Sequence, residues 1–442
     1  MTETLLPSDP ALLSRPFWWN AAPPDDTPAP ALEAACDIAI VGAGYTGLAA
    51  ALVLARAGRS VQVFDRQRPG EGASTRNGGI TSGSLRIGLK RMIETQGEAR
   101  ALTVHGEGVR ARADLYRFIE EEAIECDLQR AGRFTGATNP QALEAQAREA
   151  EALNRHFDLG ATMLSRTEAH NEVASDLYQG GMLRPDIGHL HPGKLHRGLL
   201  ARARAAGVRV LGQTPVERIA REGAGFSLTT TAGALRAGQV LMATNGYTDG
   251  VSAWLCRRLV PVTSRIVVTE ELSPNLMGAL IPKGRAVGET RKLYRYYRPS
   301  PDGKRLVIGA RERAFTRDPA RNAEHLRQGL AGIFPELAKV GIAQSWNGYV
   351  AFSRDMVPRL FEHDGVLHAC GFCGSGVVWA RWLGERAAYR MLGQAEAAAT
   401  AFFGPPPAAV PLYDGRPWFL PFAVAAYALQ DRGVLGSRNR RA

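Results

Sequence analysis

The chain has 442 residues, of which 45% are hydrophobic and 22% are charged. This composition is typical of a folded globular protein and excludes a disordered one. The length exceeds what one simple core usually serves, so we expect two closely packed domains. No run of 18 uncharged apolar residues occurs, so no transmembrane helix is predicted. The first 35 residues lack the basic start and apolar run of a secretion signal, so a cytoplasmic location is expected.

The formal net charge is +11, and only six of the 54 basic residues are Lys. The Arg residues are scattered along the chain, and the one basic cluster is Arg438–Arg441 at the end of the sequence. A nucleic-acid partner is therefore not expected, because a clustered basic patch is missing. Five scattered cysteines do not predict a disulfide framework. The spacing Cys370-x-x-Cys373 has no second pair to complete a zinc site, so no metal is expected.

The predicted elements begin after an N-terminal arm of about 35 residues, whose Phe17-Trp18-Trp19 cluster is expected to pack on the body of the protein. A strand, a glycine loop, a helix and a second strand follow in close succession. Their predicted bounds are Asp37–Val41, Gly42–Gly47, Leu48–Ala57 and Ser60–Asp65. Residues 90–154 show helical periodicity with many charges, and a helix ending in a short strand at Val208–Leu211 is predicted next.

The middle of the chain changes to alternating β segments. Lys292–Arg298 and Arg305–Ala310 flank the turn Pro301-Asp302-Gly303, a pattern that predicts a β-hairpin. Further on, the strand Val366–Ala369 leads through a glycine loop into the apolar helix Val377–Met391. Separated βα blocks around an antiparallel block predict an α/β fold, with a discontinuous Rossmann-type nucleotide domain and a second, mainly antiparallel β substrate domain.

This organisation predicts domain boundaries. The arm covers 1–35, the nucleotide-binding domain covers 36–165, 190–255 and 345–395, the substrate domain covers 166–189 and 256–344, and the C-terminal tail covers 396–442. Within the tail, Trp418–Leu435 has two interpretations, an amphipathic helix for a membrane or a partner protein and a segment that packs on the protein's own surface, and the second is favoured.

The segment Gly42-Ala43-Gly44-Tyr45-Thr46-Gly47 matches G-x-G-x-x-G between a strand and a helix. In this motif the glycines allow a tight turn, a close approach of a pyrophosphate and close helix–strand packing. The helix N-terminus favours the negative charge of the pyrophosphate. Asp65 follows 18 residues after Gly47, where an acidic residue bonds the ribose hydroxyls. The combination predicts a dinucleotide site but leaves FAD and NAD open.

Two later glycine-rich segments favour FAD. Gly72–Gly79 contains small hydroxyl residues and one Arg, which suits a loop beneath a long cofactor. Gly371–Val377 is a second strand-to-helix glycine loop, whose helix N-terminus would stabilise negative charge on a flavin ring. A second complete G-x-G-x-x-G domain for a nicotinamide cofactor is not visible.

These motifs resemble those of the D-amino-acid oxidase superfamily of FAD enzymes, also called the glycine oxidase and sarcosine oxidase superfamily. The resemblance lies in Ile38–Gly79, Val240–Thr248 and Trp346–Leu392. More narrowly, His189–Lys194 and Tyr296-Tyr297-Arg298 resemble the gamma-glutamylputrescine oxidoreductase-like subgroup.

The resemblance implies cofactor contacts along most of the first domain and in the last glycine loop. The implied residues are Gly42, Ala43, Gly44, Tyr45, Thr46, Gly47, Asp65, Arg66, Ala73, Ser74, Arg76, Asn77, Gly78, Gly79, Val216, Thr244, Asn245, Gly371, Gly374, Ser375, Gly376 and Val377. Ser375 is a departure, since relatives usually carry His there. Covalent attachment sites of relatives have no Cys or His counterpart in this chain, so noncovalent FAD is expected.

Substrate contacts are expected from the hairpin that should face the flavin. Tyr296, Tyr297 and Arg298 are the first candidates, because Tyr offers an apolar face with a polar tip and Arg offers a fork for a carboxylate. Alternation along a strand allows only one of each neighbouring pair to point inward. His191 and Trp346 are further candidates.

The resemblance therefore implies FAD-dependent oxidation of a C–N bond in an amine or amino acid, with a gamma-glutamyl amine or an N-substituted amino acid as the substrate. Hydride transfer beside an uncharged amine depends mainly on orientation. Dioxygen and a separate electron carrier both remain open as acceptors, and the oligomeric state is not predicted. Two alternatives are a flavin-dependent tRNA-modifying enzyme and an FAD-binding subunit of a larger dehydrogenase complex.

Overall fold

A computed structural model describes residues 5–436, with side chains described through Asp431. It contains 16 strands, numbered in chain order. They are β1 (Ala35–Val41), β2 (Val61–Phe64), β3 (Arg133–Gly136), β4 (Thr162–Ser165), β5 (Gly180–Arg184), β6 (Arg209–Leu211), β7 (Val216–Glu222), β8 (Gly225–Thr230), β9 (Gly233–Met242), β10 (Val260–Thr269), β11 (Ala286–Glu289), β12 (Tyr296–Pro299), β13 (Leu306–Arg311), β14 (Ile342–Phe352), β15 (Arg359–His363) and β16 (Val366–Cys370).

Eleven α-helices lie between and after these strands in the described chain. They are α1 (Tyr45–Arg56), α2 (Leu89–Gln96), α3 (Glu98–Glu121), α4 (Pro140–Phe157), α5 (Arg166–His170), α6 (Pro192–Ala205), α7 (Ala253–Cys256), α8 (Pro274–Leu280), α9 (Pro319–Ala331), α10 (Gly376–Met391) and α11 (Leu420–Gly436). No helix within residues 5–436 is both long and apolar enough to cross a membrane.

The first sheet contains the dinucleotide motif. Its strands run in the order β15-β16-β9-β1-β2-β6, and β7 and β8 attach through β9. β1 pairs in parallel with β2 and with β9, and β16 continues the parallel set beside β9. Helices α1 and α10 pack against each other through the largest core, which is formed by α1, α3, α6 and α10 on this sheet. The strand–loop–helix unit predicted after the arm therefore lies at the centre of a Rossmann-type sheet.

The second sheet has the order β14-β10-β13-β12-β11-β3-β5-β4. Its pairs are antiparallel except β3 with β11. The hairpin predicted around Pro301–Gly303 is present as β12 and β13, with Tyr296 opposite Gly309. Helix α9 covers one face of this sheet through its own core. The predicted fold class, a Rossmann-type domain joined to a mainly antiparallel sheet, is confirmed.

Three strands lie outside the predicted domain boundaries. β3 and β4, placed in the nucleotide domain at 36–165, pair in the second sheet, and so does β14, which begins before and extends past residue 345. The sequence pattern over residues 90–154 predicted helix throughout. β3 was missed because it has only four residues, too few for its alternation of half-buried and buried positions to stand out in the sequence. Tertiary pairing with β5 and β11 decides where such a short strand belongs.

The N-terminal arm and helix α11 pack on the body to different extents. Trp18 and Trp19 are buried, and their indole nitrogens donate to Asn77 O (2.9 Å) and Thr75 Oγ1 (2.8 Å). The predicted packing of the arm is thus present. In α11, Phe422 is 62% exposed although it contacts Phe315, so this helix covers the body only in part. The Arg438–Arg441 cluster lies outside the described residues.

Candidate active site

A cavity of about 410 Å³ runs between the two sheets. One end is lined by the loop after β1 and by the end of β2, and the other by β12, β13 and β14. The loop before α10 lies along the wall between them. The two domains therefore meet around one continuous space.

The loop Gly42–Gly47 forms the first end through its backbone. Gly42 has φ +112°, and a Cβ there would lie 2.8 Å from the Ala243 carbonyl oxygen. A Cβ on Gly47 would overlap the Gly42 carbonyl oxygen. Helix α1 begins at Tyr45, and its N-cap residue, Gly44, has no side chain that could cap the helix. The N–H groups of its first turn and its positive dipole end suit a pyrophosphate.

Asp65 follows β2 at the same end of the cavity. Its carboxylate accepts hydrogen bonds from Ala43 N and Gln67 N, both at 2.9 Å. Burial raises the pKa of Asp65 to about 6, although the two backbone donors oppose this shift. A half-buried carboxylate that lines the cavity and keeps free lone pairs is suited to the hydroxyl groups of a ribose.

The segment Gly72–Gly79 runs along the cavity wall from this end toward the second sheet. The Ser74 hydroxyl accepts from Tyr45 N at 3.0 Å, which ties the segment to the start of α1. Arg76 donates to Asn347 O of β14 at 3.1 Å, and its guanidinium lies 4.7 Å from the Trp19 ring centre. The segment thus connects both domains and the arm.

The second glycine loop forms the wall where α10 begins. Gly374 has φ +101°, and no side chain caps the N-terminus of α10. The Ser375 hydroxyl donates to Ser84 O at 2.7 Å, and Gly371 N donates to the Asn245 side chain at 2.9 Å. A second helix N-terminus therefore points its positive end toward the cavity.

The predicted cofactor residues converge on this space. All of them line the cavity except Gly47 and Gly371, which belong to the two glycine loops but not to the cavity wall. Val216 lies at the Asp65 end, and Thr244 and Asn245 lie opposite the Gly42 loop.

Tyr296 is the one predicted catalytic residue that lines the cavity. Its ring lies so close to Gly78 and Gly309 that a Cβ on either glycine would overlap it. It also stacks on Tyr294, with ring centres 5.8 Å apart. The two glycines and the neighbouring ring hold Tyr296 in a single position.

Tyr297 points away from the cavity, so it does not contact a molecule bound there. It is fully buried in the core beneath α9, where its hydroxyl bonds that of Tyr178 at 2.8 Å and its ring packs on Phe334. Strand alternation is the reason, since neighbouring side chains on β12 face opposite sides.

Arg298, His191 and Trp346 also lie behind the cavity wall. Arg298 donates to Gly78 O (2.8 Å) and Leu190 O (2.7 Å), and burial lowers its pKa to about 9. His191 caps α6 by accepting from Lys194 N at 3.1 Å. Trp346 donates to Arg76 O at 3.1 Å. These three side chains hold the Gly72–Gly79 segment and its surroundings, and none is placed for substrate contact.

The structure adds lining residues that the sequence did not single out for the site. At the substrate end they are Ser82, Ser84, Arg86, Arg133, Ser264, Lys292, Tyr294, Arg311, Tyr349 and Cys373, with Tyr247 nearby. Most lie on strands or loops distant in sequence, so no local motif marks them. Residues two positions apart on a strand face the same side, so Arg311 shares a face of β13 with Gly309. This is the one pattern in the sequence that indicates a lining residue at the substrate end.

The residues present fit FAD. An elongated space joins the N-terminus of α1 and a ribose-type carboxylate at one end to the uncapped N-terminus of α10 near the middle. This geometry defines a protein that holds an extended dinucleotide with its reactive part at the domain interface.

Residues 37–390 match the family of FAD dependent oxidoreductases designated DAO. The chain therefore belongs to this family, which confirms the resemblance and the FAD cofactor. The gamma-glutamylputrescine oxidoreductase of Escherichia coli K12 is 33% identical over 408 residues, covering 90% of this chain and 93% of that protein. The probable oxidoreductase OrdL of Rhizobium meliloti is 31% identical over 425 residues, covering 94% and 97%. The chain is an FAD-dependent oxidoreductase.

Solved structures show the same fold. Glycine oxidase from Geobacillus kaustophilus superposes with a TM-score of 0.71 at 24% identity, covering 84% of this chain and 97% of that structure. L-proline dehydrogenase from P. horikoshii superposes with a TM-score of 0.66 at 20% identity.

Proposed function

We propose that the protein oxidises a C–N bond in an amine or amino acid, with a gamma-glutamyl amine or an N-substituted amino acid as the substrate. The observation that carries this proposal is the continuity of the cavity from the Gly42 loop to Tyr296. Bound FAD supplies the hydride acceptor. The similarity to a gamma-glutamylputrescine oxidoreductase supports the substrate class.

The chain's own residues orient the substrate in this proposal. Tyr296 and Tyr294 form an aromatic wall that excludes water and packs the carbon skeleton. Burial raises the pKa of Tyr296, so its hydroxyl remains protonated and donates or accepts hydrogen bonds without acting as a base. The uncapped start of α10 favours negative charge on a group bound beside it. Orientation therefore carries most of the catalysis.

We also propose that FAD is held without a covalent bond. Cys373 is the one cysteine among the described lining residues, and no histidine is among them. Burial raises the pKa of the Cys373 thiol to about 11, so the nucleophilic thiolate is scarce at neutral pH. Acid precipitation of the purified protein should release all flavin into the supernatant. Flavin retained in the pellet would contradict this proposal.

The test of the function is anaerobic bleaching of the flavin absorbance by a substrate panel. The panel contains gamma-glutamyl amines, N-methyl amino acids and unsubstituted amines. We expect bleaching by at least one of the first two groups with a single purified chain, and its absence with all three would overturn the proposal. The rate at which air restores the absorbance, compared with that of an added dye, then separates dioxygen from an electron carrier as acceptor.

A further inference from the structure

Helix α11 is held on the second sheet mainly by apolar contacts. Its segment Leu420–Leu429 carries no charged side chain, and Phe422 contacts Phe315 in the connection after β13, with ring centres 5.6 Å apart. None of the side chains from Leu420 to Asp431 is fully buried. Because apolar contacts are non-directional, they do not by themselves fix the position of the helix along the surface.

Asp431 ties the far end of the described part of α11 to the connection between β11 and β12. Its two carboxylate oxygens accept hydrogen bonds from Lys292 N and Leu293 N, each at 2.9 Å. Hydrogen bonds from backbone N–H groups to a carboxylate are charge-assisted and stronger than neutral ones. Among the described side chains of α11, Asp431 is the one that hydrogen-bonds outside the helix. This residue therefore sets where the helix and the connection meet.

The connection itself has little support from the sheet. β11 ends at Glu289 and β12 begins at Tyr296, so residues 290–295 lie outside the strand ladder. The Glu289 carboxylate holds one end of this loop, since it pairs with Arg291 and accepts from Arg295 N at 3.1 Å. Asp431 binds the middle of the loop, away from both strands. The backbone conformation there depends on a residue more than 130 positions away in the sequence.

The loop supplies part of the substrate end of the cavity. Lys292 and Tyr294 line it. The Tyr294 ring stacks on that of Tyr296, and its hydroxyl accepts a hydrogen bond from Arg133. Asp431 is not among the lining residues, so it acts on the cavity only through the loop.

We propose that α11 is a strap across the second sheet, and that Asp431 is a positioning residue that holds the loop 290–295, and with it Tyr294, in the substrate wall. The effect on the loop is independent of the proposed function, whereas the effect on turnover rests on it. When the strap is released, the loop leaves the cavity and the aromatic wall loses Tyr294. Substrate binding then weakens while the FAD site, at the other end, is preserved.

The test measures release of the loop by limited trypsin digestion of the holoenzyme. The loop contains three trypsin sites, at Arg291, Lys292 and Arg295, and a segment must detach from its neighbours to enter a protease. Asp431→Ala should raise the rate of cleavage at these sites roughly 10- to 100-fold, because the open fraction rises when two charge-assisted hydrogen bonds are lost. Asp431→Asn, which keeps one acceptor oxygen, should lie between this variant and the wild type. Mass spectrometry of the peptides assigns each cut to its site.

Gln430→Ala is the matched control, because Gln430 is the exposed neighbour of Asp431 on the same helix. With a substrate that bleaches the flavin, Asp431→Ala should raise KM roughly tenfold and leave the flavin content and the unfolding midpoint unchanged. A purely structural role would instead lower the unfolding midpoint and leave KM unchanged.

Equal cleavage rates in the loops of Asp431→Ala and Gln430→Ala would overturn the strap. Faster loop cleavage with an unchanged KM would overturn the positioning role in the substrate wall. Faster loop cleavage together with no bleaching by any member of the substrate panel would overturn the proposed function and leave the strap in place. If Asp431→Ala does not fold, Asp431→Asn decides the question.

Discussion

The ribose and pyrophosphate end of the cavity is built mainly from backbone, whereas the substrate end is built mainly from side chains. At the first end, Gly42–Gly47 and the start of α1 present N–H groups that any sequence with the right glycines can supply. At the second, Tyr296 and Arg311 come from adjacent strands, and their identities set the chemistry. Related proteins can therefore keep the glycines of the ribose and pyrophosphate end and vary the side chains of the substrate end.

Gly47→Val should abolish FAD binding. The added atoms overlap the Gly42 carbonyl oxygen and force the loop away from α1. We expect a colourless purified protein, measured as the flavin-to-protein absorbance ratio. Gly250→Ala is the control, because no atom lies within 4 Å of its added Cβ. A yellow Gly47→Val protein with a normal ratio would show that FAD binding does not depend on the close packing of Gly47 against the Gly42 carbonyl group.

Gly309→Ala should preserve FAD and impair turnover. The methyl group displaces the Tyr296 ring from its place at the substrate end. We expect kcat/KM to fall by about 100-fold, because a misplacement near 1 Å costs about that factor. Gly278→Ala, whose added Cβ meets nothing within 4 Å, is the control. An unchanged kcat/KM would remove Tyr296 from the substrate wall.

Lowering the pH should weaken FAD binding through Asp65. Burial raises the pKa of this carboxyl to about 6, so the proton returns as the pH falls below that value. The ionised form accepts ribose hydroxyls, so binding favours proton release and affinity is lost on acidification. We expect a roughly fivefold to tenfold higher Kd at pH 5 than at pH 7, measured by flavin fluorescence.

The Asp65→Asn variant serves as the reference for this pH series. It lacks the titrating group, so its Kd should be higher at neutral pH and should change little between pH 5 and pH 7. Parallel curves for the wild-type protein and the variant would assign the pH dependence to another group.

Tyr297→Phe should affect stability alone. It removes the hydroxyl that bonds Tyr178 in the core and leaves the Tyr178 hydroxyl without that partner. We expect the free energy of unfolding to fall by about 1 kcal/mol with kcat/KM unchanged, measured by denaturant unfolding and bleaching kinetics. Tyr296→Phe should show the opposite pattern. Loss of turnover in Tyr297→Phe would mean that the buried face also shapes the site.

The sequence predicts most of the first end and little of the second. Gly42, Asp65 and the Gly374 loop are local in sequence, so spacing and flanking periodicity place them. The hairpin around Pro301–Gly303 is local as well, and the turn chemistry reveals it. Arg86, Ser264 and Arg311 belong to distant segments that meet only after the second sheet forms. No short sequence motif indicates that these distant segments come into contact.

Local sequence patterns were sufficient to predict the dinucleotide-binding fold and the family, because backbone turns and helix starts depend on a few consecutive residues. The packing of the second sheet decides which side of β12 faces the cavity, and it places Tyr296 in the cavity wall and Tyr297 in the core. It also decided that Arg298 supports Gly78 while Arg311 lines the substrate end. The physical reason is that the face a strand buries depends on the elements packed above and below it, which its own residues do not specify.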